Sequence, residues 1–528
     1  MTHGSTWDWQ ASARAAGAQP DGRFNCGAVS ITHPRAIVWK RADGQVRTVS
    51  GGELQRLAGR LAGALRALGV RRGDRVAGLL SRRPETYAVA LAVWRLGAIY
   101  VPLFSGFRGE GLRVRIADSE ALVIVTDAAN RENLGQMEGD LPPHTVAMIG
   151  GGGVETDHSL ESLMQRVTQE PSLAETKIHD TATIMYTSGT SGRPKGCMIP
   201  HHGLITLSPY VTRCLAVSPD DLLFSGADAG WAYGLYTTGL APLSMGCGRV
   251  LYEGPFDVEG WLNTARELGA GHLAAAPTAF RQIAAAGVDD RARAIKAATS
   301  AGEPLDAATF EWFQTQLGLS IHDSYGLTEL GMVTANLRGP NSVALAAGSM
   351  GTCLPGFEIQ LVDRGGAPVP TGEVGRIAVR DNGFLLGAGY WGRDSEWAAR
   401  LQDGWWLTED LARQDEAGRY WYGGRADDVI VSAGYNISPL EVEAALMKHP
   451  LVADAACVGE PDPVRGQAVT AYVVLREQAP ADLDKVLRRW VGERVGRHAA
   501  PRRVEARTEL PRTASGKLQR ANLRTGGM

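Results

Sequence analysis

Eleven residues constrain this chain more than any other stretch: Tyr186-Thr187-Ser188-Gly189-Thr190-Ser191-Gly192-Arg193-Pro194-Lys195-Gly196. They follow a short apolar run, Thr183-Ile184-Met185, and precede a helix predicted from His202 onward. Hydroxyl residues and glycines at this density cannot build a core. They can turn backbone N–H groups and hydroxyls toward an anion, with Lys195 adding a compact positive charge. A nucleotide phosphate fits that description, and a plain surface loop is the competing reading. The spacing departs from the Gly-Lys-Ser/Thr ending of the motor and GTPase loop, because Pro194 stands before Lys195 and Gly196 follows it.

Around this loop, strand and helix signals alternate. Ser50-Gly51-Gly52-Glu53 is a capping box, and Leu54, Leu57, Leu61, Leu65 and Leu68 follow at helical spacing. Strands are predicted at 76–80, 122–126, 222–225, 249–251, 273–275, 321–323, 358–362 and 376–379, and helices at 84–96, 258–268 and 305–317. Such alternation predicts an α/β fold of parallel or mixed sheets layered with helices. Residues 128–180 read as loop-rich, with Gly150 to Gly153 as a turn. Residues 350–424, dense in Gly and Trp, predict a β-rich subdomain. A second capping box, Ser438-Pro439-Leu440-Glu441, opens a helix to Lys448; strands at 453–458 and 469–475 and a helix at 483–495 follow. The expected division is therefore an N-terminal region, 1–426, and a small α+β domain, 427–528.

Composition excludes several functions. Net charge is −3, which argues against a nucleic-acid partner. The N-terminus lacks the layout of a signal peptide, and the longest apolar stretch, 88–104, is interrupted by Arg95 and short for a membrane span. Six cysteines are scattered without metal-ligand spacing and read as reduced thiols of a cytoplasmic protein. His201-His202 reads as a structural pair. Seven lysines stand against 47 arginines, yet Lys195 and Lys517 both sit in Ser/Thr/Gly-rich stretches. Lysine acts on phosphate as a point charge where arginine demands a fork-shaped fit.

Four further stretches occur in order after the loop: Ala301-Gly302-Glu303-Pro304 with Asp323-Ser324-Tyr325-Gly326-Leu327-Thr328-Glu329, Trp406-Leu407-Thr408-Glu409-Asp410, Gly424-Arg425-Ala426-Asp427-Asp428, and Pro511-Arg512-Thr513-Ala514-Ser515-Gly516-Lys517. With the loop itself, this series resembles the AMP-forming acyl- and aryl-CoA synthetases of the adenylate-forming superfamily. Gly348-Ser349-Met350-Gly351 onward is similar to medium-chain acyl-CoA synthetases, and Ala232-Tyr233-Gly234-Leu235 to benzoate–CoA ligases.

The resemblance implies an ATP-dependent carboxylate–CoA ligase that works through an acyl-adenylate on a medium-chain fatty or aromatic acid, with ATP, Mg²⁺ and coenzyme A. Thr187, Ser188, Gly189, Thr190, Ser191, Gly192 and Lys195 would hold phosphates. Glu329, with Thr328, would hold Mg²⁺. Gly302, Glu303, Pro304, Asp323, Ser324, Tyr325 and Gly326 would form the adenine segment, with Tyr325 stacking on the base. Asp410 and Arg425 would take the ribose. Lys517 would bridge acyl carboxylate and α-phosphate, and Arg520 and Arg524 nearby read as ordinary basic tail residues. Asp427 would be the hinge about which a mobile C-terminal domain turns, bringing Gly434 toward the adenylate for thiol entry. Trp231, Ala232, Tyr233, Gly326 and Leu327 would line the acyl pocket; Gly326 replaces the tryptophan of acetate-specific members. Asp228 sits one residue away from the spacing that amino-acid adenylation domains use to grip an amine. Glu409 and Asn436 depart from the family pattern, the first by placing a negative charge beside the ribose segment. A carrier-protein loader and a luciferase-like adenylating oxygenase are the alternatives. No carrier module follows Lys517, and the resemblance leaves room for a homodimer.

Overall fold

The computed structural model describes residues 6–137, 140–187, 194–287, 291–339, 342–426, 428–432, 435–462, 466–480, 482–497, 499–512 and 518–524. The chain divides into two compact units, Met1–Glu358 with Val379–Trp406, and Ile359–Ala378 with Leu407–Met528. The second unit thus takes in the β-rich residues 407–426 together with the C-terminal residues.

The first unit is built on two sheets. One has seven strands in the order His158–Ser159, Thr145–Ile149, Val123–Asp127, Arg75–Leu79, Ile99–Pro102, Thr181–Thr187, Lys195–Pro200. The other has nine, running Thr352–Cys353, Gly331–Ala335, Ile321–Leu327, Ala297–Ala301, His272–Ala275, Leu222–Ser225, Gly248–Tyr252, Ile37–Lys40, Val46–Val49. Their centres are parallel, and antiparallel strands close three of the four edges. The helix Pro84–Arg95 explains why so apolar a stretch is not a membrane span. Every residue from Pro84 to Trp94 but Glu85 is buried, Trp94 Nε1 donates to Ala182 O at 2.9 Å, and Tyr87 Oη donates to Gly234 O at 3.2 Å. A helix buried on all sides must be apolar all round.

Most predicted elements are present, including the capped helix Gly51–Ala67, whose Ser50–Glu53 box is formed. Three differ. Between the glycine-rich loop and the predicted helix, which begins at Gly203, lies an unpredicted strand: Lys195–Pro200 runs antiparallel to Thr181–Thr187, with Thr187 opposite Lys195. The stretch 128–180 is not mainly loop, because it holds the helix Ala128–Gly135, the parallel strand Thr145–Ile149 and the helix Leu160–Gln165. The central strand Ala297–Ala301 escaped prediction because Ala-Ala-Thr-Ser-Ala lacks the branched and aromatic residues that mark strands.

The second unit carries the strand Ile359–Val362, residues 374–378, residues 407–414 and the strand Tyr420–Arg425 of a five-stranded sheet. A second five-stranded sheet, Tyr435–Ile437, Ile430–Ser432, Gly466–Leu475, Val452–Asp462 and Arg503–Arg507, packs its apolar side chains with those of the helices Pro439–Met447 and Leu483–Arg494. Ser438 precedes the first of these helices, but its hydroxyl donates to Gly423 O at 3.1 Å, so the predicted capping box is not made.

Candidate active site

Three clusters emerge. The first forms where Lys195–Pro200 meets the turn after Ile321–Leu327. The segment 387–391 lies along both: Ala388 N donates to Met198 O at 2.8 Å, Trp391 N to Gly196 O at 2.7 Å, and Gly387 N to Glu329 O at 2.9 Å. So close an approach requires glycine, since a Cβ at Gly387 would lie 2.6 Å from Cys197 Sγ and 3.0 Å from Glu329 Cα. The segment delivers Tyr390, whose hydroxyl donates to Glu329 Oε1 at 2.8 Å. Lys195 Nζ lies 5.4 Å from the Tyr390 ring centroid and pairs with Glu396 at 2.7 Å. Burial and the Glu329 carboxylate push the Tyr390 phenol up, and the same two causes raise the Cys197 thiol. Lys195 and Glu329 are therefore neighbours. Tyr390 and Glu396 escaped sequence reading, although Gly389-Tyr390-Trp391-Gly392 stood within the Gly- and Trp-rich stretch.

The second cluster lies across the ends of two parallel strands, where Ser300 is in register with Asp323 and Ala301 with Ser324. Ser324 Oγ donates to Ser300 O at 2.7 Å, tying the strands together. Gly302 follows at φ +95° with open space where a Cβ would be, and Tyr325 is buried. Glu303 accepts from Thr278 at 2.7 Å and Arg281 at 2.8 Å, so its carboxylate braces the turn that presents Gly302 and Pro304. Asp323 is 3% exposed, and its Oδ1 has no hydrogen-bond partner among the described residues. Burial pushes its pKa up to about 7, against the opposing pull of the Ser300 hydroxyl. An orphaned buried acceptor beside an open glycine turn is what the amino edge of an adenine requires.

That raised pKa has a consequence for stability. The unfolded carboxyl ionises near 3.8 while the folded one holds its proton to about 7. The native state therefore binds the extra proton between those values, and stability falls as pH rises through this window. Asp323→Asn is expected to stabilise the nucleotide-free protein more at pH 8 than at pH 4 in thermal unfolding, and to raise the KM for ATP. A stability difference that does not change with pH contradicts the assignment.

The third cluster belongs to the second unit. Asp410 and Arg425 are opposite each other on antiparallel strands. Tyr422 Oη donates to Asp410 Oδ1 at 2.9 Å, and Asp410 N to Thr408 Oγ1 at 3.0 Å. The unusual Glu409 is accounted for, because its carboxylate meets Arg425 Nη2 at 2.5 Å.

Trp231 packs in an aromatic group with Phe104 and Phe107, tilted on the first and edge-on to the second, at centroid distances of 5.6 and 5.7 Å. Gly230 permits this, since a Cβ there would lie 2.4 Å from the Phe104 backbone. Asp228 holds the turn by accepting from Ser105 Oγ at 2.6 Å and Gly230 N at 2.8 Å. Both of its oxygens are thus engaged within the protein, as a turn-forming rather than an amine-gripping group. Ala232 and Tyr233 continue into the π-helical turn Tyr233–Leu240. At Gly326 a Cβ would lie 2.2 Å from Gly331 O, so the β-bulge there demands glycine whatever the acid. Leu327 O accepts from Leu330 N at 3.1 Å, closing the turn that carries Thr328 and Glu329. His201 and His202 are buried, with pKa values pushed down to about 4 and about 3 by burial, as structural residues. Ser188, Gly189, Thr190, Ser191, Gly192, Asp427, Gly434 and Lys517 lie outside the described residues.

The family model described as AMP-binding enzyme matches residues 30–391, and that of the AMP-binding enzyme C-terminal domain matches 441–517. The chain belongs to the AMP-binding enzyme family. It is 32% identical to the acetyl-coenzyme A synthetase of Bacillus subtilis over 89% of this chain and 84% of that one. Among solved structures it resembles an acyl-CoA synthetase of Brucella canis, with TM-score 0.76, 35% identity and coverage of 98% and 97%. It also resembles a benzoate CoA ligase of Burkholderia xenovorans, with TM-score 0.83, 28% identity and coverage of 95% and 100%. This AMP-binding enzyme is an adenylate-forming acid–thiol ligase of the acyl-CoA synthetase type. ATP, a carboxylic acid and a thiol are the reactants of that chemistry. No helix among the described residues is long and apolar enough to cross a membrane.

Proposed function

We propose that the acid is larger than acetate, a medium-chain fatty or aromatic carboxylic acid, and that coenzyme A is the acceptor. The observation that carries this reading is the aromatic group Phe104, Phe107 and Trp231, an apolar surface of the kind that a medium-chain or aromatic acid needs. The acetyl name of the Bacillus relative points toward a smaller acid, and the benzoate name of the Burkholderia structure toward a larger one; the residues here favour the larger.

In this reading the acid's carboxylate attacks the α-phosphorus of ATP and pyrophosphate leaves. Lys195 and the loop before it hold phosphate charge, Asp323 accepts from the adenine amine, and Asp410 accepts from the ribose hydroxyls. The carboxylate of Glu329, oriented by Tyr390, suits a hard divalent cation, and Mg²⁺ there would neutralise charge between the phosphates. Lys517 adds a second ammonium. Residues 427–528 then turn about Asp427 so that the thiol replaces Lys517 at the activated carbonyl, with Gly434 on the incoming face. Six free cysteines, five of them buried, support a reducing compartment such as the cytoplasm.

The acid is tested by following loss of free CoA thiol with acetate, hexanoate, octanoate, benzoate and phenylacetate. Turnover should be highest with hexanoate, octanoate or an aromatic acid; a clear preference for acetate would contradict the reading. The hinge is tested with Asp427→Pro, which locks φ. That variant should slow thioester formation from pre-made acyl-adenylate more than it slows ATP–pyrophosphate exchange, and two unchanged rates would leave no hinge at 427.

A further inference from the structure

The basic residues beyond Lys517 are not ordinary tail residues. Arg520 is 15% exposed and reaches into the second unit, where Nη2 lies 2.7 Å from Glu443 Oε2 and 2.9 Å from Oε1, while Nη1 lies 3.4 Å from Asp428 Oδ2. Arg524 Nη2 meets Asp428 Oδ1 at 2.7 Å. Glu443, 5% exposed on the helix Pro439–Met447, also accepts from Cys457 N at 2.7 Å. Two guanidinium groups and two carboxylates thus pair, and of the four only Arg524 is exposed. Removing one member of such a group leaves another charge buried without compensation.

Its position in the chain gives it meaning. Asp428 follows the residue assigned as hinge. Arg520 stands three residues after Lys517. Between Arg520 and Lys517 the chain is gripped again, since Gln519 N donates to Pro511 O at 2.8 Å and Arg512 forms an antiparallel bridge with Leu518. Arg512 Nη2 in turn reaches Asp454 Oδ2 at 2.6 Å. The two ends of the segment that carries Lys517 are therefore clasped together, and Arg520 fastens the clasp to Glu443 and to the residue beside the hinge.

We propose that Arg520 is a positioning residue for adenylation: through Glu443 and Asp428 it fixes the residues that flank Lys517. This rests on the assignment of Lys517 made above. A cation misplaced by an ångström forfeits its effect on the transition state, whereas thiol attack on a finished adenylate does not use Lys517.

The test is a cycle of Arg520→Ala, Lys517→Ala and the double variant, with both half-reactions measured. Arg520→Ala should lower ATP–pyrophosphate exchange by about 10²-fold. It should leave thioester formation from pre-made acyl-adenylate within about threefold of the parent, and add almost nothing to Lys517→Ala. Should Arg520→Ala fail to fold, Arg520→Lys replaces it in the cycle. That variant keeps the charge but not the fork, and exchange should fall by about tenfold. Equal losses in both half-reactions, or a double variant showing the product of the single losses, would overturn the proposal and leave Arg520 a stabilising residue only. Undiminished exchange in Lys517→Ala alone would instead remove the assignment on which it rests.

Discussion

Lys517→Ala is expected to lower carboxylate-dependent ATP–pyrophosphate exchange by about 10³-fold, the scale on which one preorganised donor contributes to a charged transition state. During adenylation two anions, the acid's carboxylate and the triphosphate, must meet while negative charge builds on the departing pyrophosphate. Lys195 is anchored on its strand beside Glu396 and Tyr390 and would serve one side of that charge. Lys517 ends the segment matched by the C-terminal family model and would serve the other side. The thioester half-reaction begins from an adenylate whose carbonyl is already activated, so it needs positioning of the thiol more than another cation. Thioester formation from pre-made acyl-adenylate should therefore survive in this variant. Equal loss of both half-reactions would contradict the assigned role.

Glu329→Ala should lower the same exchange by about 10²-fold. A carboxylate offers about four acceptor positions, so a hydrogen bond from Tyr390 orients the group rather than exhausting it. Tyr390→Phe serves as the companion variant. Losing an outer-shell partner typically weakens metal binding by about tenfold or more, so the Mg²⁺ concentration for half-maximal exchange should rise while saturating Mg²⁺ restores the rate. Titrating Mg²⁺ in both variants checks this. A Glu329→Ala enzyme with an unchanged Mg²⁺ requirement would show that the cation is held elsewhere.

The fold was legible wherever local pattern and burial agree. Pro84–Arg95 carries its proline start and unbroken apolar sequence, and Gly51–Ala67 its capping box. The strand Ala297–Ala301 was not legible, because its small residues are selected by neighbours on both sides rather than by intrinsic preference. Lys195–Pro200 was hidden for another reason. It pairs with the preceding strand Thr181–Thr187, but its other edge is held by the 387–391 segment, a long-range event that the glycine-rich loop before it does not announce.

The site was legible as residue types in order, and less so as a set of contacts. Lys195, Glu329, Asp323 and Asp410 stood out through motifs that resemble those of the AMP-forming synthetases, and that resemblance assigns them to phosphate, metal, adenine and ribose. Tyr390 did not, since a tyrosine becomes an orienting donor only when the chain returns almost 200 residues after Lys195. Glu409 looked like a misplaced charge because Arg425, its partner, faces it only across a β-ladder. Arg520 looked like a solvated cation because Glu443 lies on a different element, 77 residues earlier.

In an acyl-adenylate mechanism acid and ATP react at one site before any thiol enters. It is tested most directly by ATP–pyrophosphate exchange measured without CoA and with hexanoate, octanoate or benzoate present. Exchange that depends on the acid and proceeds at full rate with no thiol is the predicted result. Exchange that appears only after CoA is added, or that ignores the acid altogether, would contradict it.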